Sequence, residues 1–141
     1  MFSFFKKKNN KIEKTDIISK TASLLIHAAK IDEQYTNKEK LIIEKTILEL
    51  GADKEKISEI MTNAEESEKN SNQILDFTKD IKNADDNFKI KIVESLWKII
   101  YSDKNSDMYE SNLMRRLSGL LYLENKVVGD IKEKIKKNIK N

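Results

Sequence analysis

The stretch W-K-I-I-Y-S-D-K-N-S-D-M-Y-E-S-N-L-M-R-R-L, from Trp97 to Leu117, fixes the fold class. An apolar helix carrying Trp97, Ile99 and Ile100 stops at a short polar loop with Asp103, Asn105 and Asp107, and a second helix begins near Glu110. A weaker copy lies 71 residues upstream, where Leu25 to Ala29 lead into Asp32, Gln34 and Thr36 and the next helix begins near Glu39. The Asp-to-Glu spacing of seven is shared. When residues 24 to 60 are laid on 95 to 131, only five of 37 positions are identical. What repeats is the punctuation: apolar helix, acidic loop, capped helix, short turn, apolar helix.

Working outward, the first helix is expected from about Thr15 to Ile31, with Leu24, Leu25, Ala28 and Ala29 at helical spacing. Thr36, three residues before Glu39, announces the second helix with a capping box. Ile42, Ile43, Ile47 and Leu50 form its stripe, and Gly51 closes it in a left-handed cap. Asp53 caps a third helix with Ile57, Ile60, Met61 and Ala64, ahead of the charged run E-E-S-E-K-N. Ser71 or Asn72 opens a fourth, with Ile74, Leu75, Phe77, Thr78 and Ile81 inward. Asp85 or Asp86 caps the fifth, whose Phe88, Ile92, Val93, Leu96, Trp97, Ile100 and Tyr101 form the richest apolar face in the chain. The sixth starts at Asp107 and buries Leu113, Met114, Leu117, Leu120 and Leu121, and the seventh carries Val127, Val128, Ile131 and Ile135. The expected architecture is all-α: about seven helices in a single bundle, two pseudo-symmetric three-helix halves joined by a connecting helix.

Composition agrees. The 141 residues suit one domain. There is no proline and only three glycines, so residues that break helices are almost absent. Without cysteine, disulfides, zinc thiolate sites and thiol nucleophiles are excluded. No apolar run reaches the roughly 18 to 20 residues that span a bilayer, and the start M-F-S-F-F-K-K-K-N-N lacks the order of a signal peptide. A cytoplasmic protein is expected. The net charge of +3 is uneven: residues 1 to 14 and 132 to 141 each carry +4, leaving −5 between them. An acidic body with basic ends is not the broad basic face of a nucleic-acid binder. Three segments follow: a basic, aromatic leader over 1–14, a helical domain over 15–131 and a basic tail over 132–141. Phe2, Phe4 and Phe5 beside Lys6 to Lys8 are read either as peripheral membrane contact or as a strand of chain folded onto the domain.

At the two acidic loops the chain resembles the tellurite-resistance TerB-like proteins, whose paired A-D-G-x-x-x-x-x-E boxes are each set between two helices. The resemblance covers roughly residues 15 to 131. Asp32 with Glu39, and Asp103 with Glu110, fall on the family's acidic positions, and Asp107 falls on a frequent third. The glycine after the Asp is replaced by Glu33 and Lys104. Kinship of this kind implies a role in stress or metalloid response, a metal ion at the acidic loops, and association with other proteins, some at the membrane.

The residues themselves leave two readings of the loops open. Asp103, Asn105 and Asp107 give the D-x-N-x-D start with which calcium loops place oxygens around a hard cation. Met108 and Met114 stand where an EF-hand needs Gly and Glu, so this is no EF-hand. Asp32, Glu39, Asp103, Asn105, Asp107 and Glu110 are therefore candidate ligands of a divalent cation, calcium or similar. On the other reading, Thr36 with Glu39 and Asp107 with Glu110 only cap helix starts, each cap contributing about 1 kcal/mol. His27, the only histidine, is expected to be a surface or half-buried residue, because no Ser, Thr or Cys constellation makes it a general base. Trp97 and Tyr101, one helical turn apart, are expected to pack in the core, and Arg115 and Arg116 to pair with neighbouring carboxylates. No phosphate loop and no HExxH is present. The expected function is non-enzymatic binding, with an adapter that has no ligand of its own as the alternative.

Overall fold

The structure is a computed structural model that describes residues 17–30, 35–70, 75–102 and 108–140. It is all-helical, with no strand among the described residues. Six helices exceed two turns: α1 (17–29), α2 (Asn37–Glu49), α3 (Ile57–Asn70), α4 (Asp86–Ser102), α5 (Met108–Leu120) and α6 (Asn125–Lys140).

The seventh helix expected between α3 and α4 is absent as such. In its place stand a single turn, Leu75–Thr78, and a 3₁₀ turn, Ile81–Asn83. Phe77, Thr78 and Ile81 are buried as expected. One turn and a bend suffice to point all three inward, and the break lets Asp80 turn out to form an ion pair with Lys20 of α1. Two other boundaries move. A 3₁₀ turn, Lys54–Lys56, precedes α3, and Asp53 makes no side-chain cap there. The run E-E-S-E-K-N lies inside α3, because Glu68 faces α1 and not water.

Helix starts follow the sequence closely. Thr36 is extended (φ −88°, ψ 163°), its Oγ1 accepts from the Glu39 N–H at 3.2 Å, and Glu39 Oε1 accepts from the Thr36 N–H at 2.8 Å. Asp85 Oδ1 accepts from the Phe88 N–H at 2.9 Å and so caps α4. Both α2 and α5 end in the same six-to-one turn. At α2 the Gly51 N–H donates to Leu48 O and the Ala52 N–H to Ile47 O. At α5 the Tyr122 N–H donates to Gly119 O and the Leu123 N–H to Ser118 O. The left-handed residue is Gly51 (φ 113°) in one and Tyr122 (φ 57°) in the other.

These positions are again 71 apart, and α2 and α5 are both 13 residues long. Burial keeps the same offset. Three of the five identities between the two copies, Leu25/Leu96, Leu50/Leu121 and Ile60/Ile131, are pairs of buried residues. The core centres on α4, which packs on α6 and on α2 and contributes Ile92, Val93, Leu96, Trp97, Ile99 and Ile100, all at most 4% exposed. Each such side chain contributes about 1.5–3 kcal/mol by leaving water. The α2–α4 interface also holds a buried polar pair, with Thr46 Oγ1 and Ser95 Oγ 2.7 Å apart.

Candidate functional site

Of the six acidic-loop candidates, Asp32, Asp103, Asn105 and Asp107 lie outside the described residues. Glu110 falls in the first turn of α5, as the spacing requires. Glu39 is the one whose side chain is in view, and it is 3% exposed. Its Oε1 accepts from both the N–H and the hydroxyl of Thr36, at 2.8 and 3.0 Å. Burying a carboxylate this deeply is costly unless it is hydrogen-bonded, and the reciprocal cap supplies that partner.

Beside it stands a residue that sequence reasoning passed over. The Tyr35 hydroxyl is buried and has no hydrogen-bond partner within 3.5 Å among the described residues. Burial and the carboxylates of Glu65, Glu44 and Glu39 push its pKa up, Glu65 being the nearest acceptor. Lys40 offsets part of this negative field, with its Nζ 3.8 Å from Glu65 Oε2. Among the described residues, Glu39, Glu44 and Glu65 thus surround the Tyr35 hydroxyl, with Lys40 paired to Glu65. The sequence signal was an aromatic immediately before a cap, at the mouth of an acidic loop. Among the described residues, no three acidic, histidine or cysteine side chains are gathered so as to hold a metal ion.

A second charged cluster ties α1 to α3. Glu68, with a side chain only 10% exposed, accepts from Lys30 Nζ at 2.8 Å and lies 3.4 Å from His27 Nδ1. The His27 ring is half-buried and tilted against Phe77 at 6.2 Å. This histidine is a packing and pairing residue, with a carboxylate at one nitrogen and no nucleophile beside it among the described residues. Ser23 Oγ donates to Ala64 O at 3.0 Å and closes the same interface. Trp97 and Tyr101 stack at 5.9 Å and 22°, and the Trp97 indole N–H donates to Val128 O at 3.1 Å, so this pair belongs to the core. Arg115 and Arg116 are exposed and ion-pair with no carboxylate among the described residues, and the side chains of Asp107 and Glu110, the acids nearest them in sequence, lie outside those described.

The Asp-to-Glu interval of seven in the sequence and the matching turns after α2 and α5 recur 71 residues apart. A family model described as tellurite resistance protein TerB matches residues 19–133. The chain belongs to the TerB family. No curated protein and no solved structure matches it. The match runs from α1 into α6 and so takes in both acidic loops of this TerB-family chain.

Proposed function

We propose that this TerB-family domain works by binding and not by catalysis, and that the segments leading into α2 and α5 hold a divalent cation, calcium or a similar hard ion. Asp32, Asp103, Asn105, Asp107 and Glu110 are the proposed ligands, with Glu39 holding the first corner in shape through its cap. On this reading the two halves are related by pseudo-twofold symmetry, which would bring both corners to one end. The equal lengths of α2 and α5 and the 71-residue offset of their caps support it. The single observation that carries the ion site is the buried Tyr35 hydroxyl with the carboxylates of Glu65, Glu44 and Glu39 around it. A gathering of carboxylates next to the loop favours a cation there, and an all-oxygen donor set suits a hard one.

The test is a thermal melt with calcium or magnesium. A site filled tenfold above its Kd adds about 1.4 kcal/mol of stability, which raises Tm by about 5 °C in a domain of this size. Asp103→Ala is expected to abolish the rise while leaving the ion-free Tm close to that of the wild type. No shift at millimolar ion retires the site but not the fold.

One observation favours a second reading. The Thr36–Glu39 box is complete without any ion, so the acidic residues serve equally as caps of an adapter that docks on proteins or at a membrane surface through residues 1–14. Liposome flotation of the full chain and of a chain starting at Thr15 separates the two. Binding that is lost on truncation supports the adapter, and no flotation of either chain counts against it. The family description makes tellurite or stress response the proposed setting, in the cytoplasm. No described helix is long and apolar enough to cross a membrane.

A further inference from the structure

At the far end of α5 from its acidic loop, 13 residues or about 20 Å along the axis, Tyr122 is 68% exposed. It occupies the left-handed position that Gly51 fills in the corresponding turn after α2. A side chain there works against the backbone, so this ring is displayed at some cost. Two lysines converge on it. Lys82 Nζ lies 5.7 Å and Lys89 Nζ 5.9 Å from the ring centroid. Neither ion-pairs with a carboxylate among the described residues.

Lys89 is the unusual one. It is 5% exposed, and 71 residues upstream its counterpart is Ile18, a core residue at 3%. A lysine has taken a core position, its stem buried and its ammonium brought up beside the ring. The cluster thus joins a strained, displayed aromatic to two cations, one of them almost wholly buried.

We propose that Lys82, Lys89 and Tyr122 form the docking point for an acidic segment of a partner protein. Charge complementarity selects the partner: carboxylates would supply the counter-charge that neither ammonium group finds among the described residues, while the ring gives a rigid amphipathic contact. The Tyr122 and Leu123 N–H groups are already spent on the carbonyls of α5, so the turn offers no nest of backbone donors to a phosphate. One ring and two lysines are also a small patch for a lipid surface, where stable attachment takes a longer basic run. This surface is separate from the acidic loops and does not depend on the ion site.

The test is a fluorescence-anisotropy titration of the full chain with fluorescein-labelled octaglutamate at low salt. Tyr122→Gly and Lys82→Gln are each expected to weaken binding about fivefold or more, while Lys38→Gln, on α2, leaves it unchanged. Tyr122→Gly keeps the fold, since glycine suits that backbone, and circular dichroism melting verifies it. Lys89→Met tests the buried cation in the same way. Equal affinity in all variants overturns the proposal. So does a wild type that ignores the peptide but binds phosphatidylserine vesicles or inorganic phosphate, or one that occupies this face by self-association in sedimentation velocity.

Discussion

Tyr35, Thr46 and Tyr122 each set a small local imbalance against the rest of the fold, and each gives a measurable prediction. The Tyr35 phenol has its pKa raised above the ordinary 10.0 by burial first and by Glu65 next. The folded state therefore keeps its proton at a pH where the unfolded chain begins to lose it. Stability is whole below about pH 10 and falls as pH climbs above that. Urea titrations at pH 8 and pH 10.5 should show this loss in the wild type and a smaller one in Tyr35→Phe. At neutral pH the same substitution removes an unsatisfied hydroxyl and should be neutral or stabilising by up to about 1 kcal/mol. The Thr46–Ser95 pair is asymmetric. A hydroxyl has one proton, and Thr46 Oγ1 is 2.8 Å from Ile42 O, so Thr46 donates to that carbonyl and accepts from Ser95. Thr46→Val strands the buried Ser95 hydroxyl and should cost about 1–3 kcal/mol, while Ser95→Ala should cost less than about 1 kcal/mol. Equal costs in chemical denaturation would contradict this assignment of protons. At Tyr122 the left-handed strain and the two ring contacts with lysines are both of order 1 kcal/mol. Tyr122→Gly should therefore shift stability by less than that.

At the scale of elements, helix starts and stops were the most legible part of the sequence, because a cap is a local device. Thr36 with Glu39, Asp85 and Gly51 act where their spacing put them. Helix lengths were less legible where a distant partner decides them. Nothing near Glu65–Asn70 says that Glu68 will meet Lys30 and His27 from α1, yet that meeting keeps α3 helical to Asn70. The same holds for residues 75–83, where the ion pair of Asp80 with Lys20 and the burial of Phe77, Thr78 and Ile81 outweigh helix propensity. The candidate site was legible only as a list of acids. Glu39 was among them and Tyr35 was not, since an orphaned hydroxyl exists only after packing. Gly51→Ala tests the α2 cap. With φ at 113°, a Cβ is expected to cost about 1 kcal/mol or more, against no more than a few tenths for Ser67→Ala on the exposed side of α3.

For the whole molecule, the contact of α2 with α4 matters most, since it joins helices from the two ends of the chain through one core. Unfolding in urea should be a single cooperative transition, with helix content and tryptophan emission changing together. Separate midpoints would contradict a single core. Trp97 makes this easy to follow, because it is the only tryptophan, and its indole N–H is held by the Val128 carbonyl on α6 under the Lys132 ammonium at 5.3 Å. Loss of that contact releases the N–H to water and shifts the emission to longer wavelength. The chain thus carries its own optical gauge of C-terminal docking, readable without any added label.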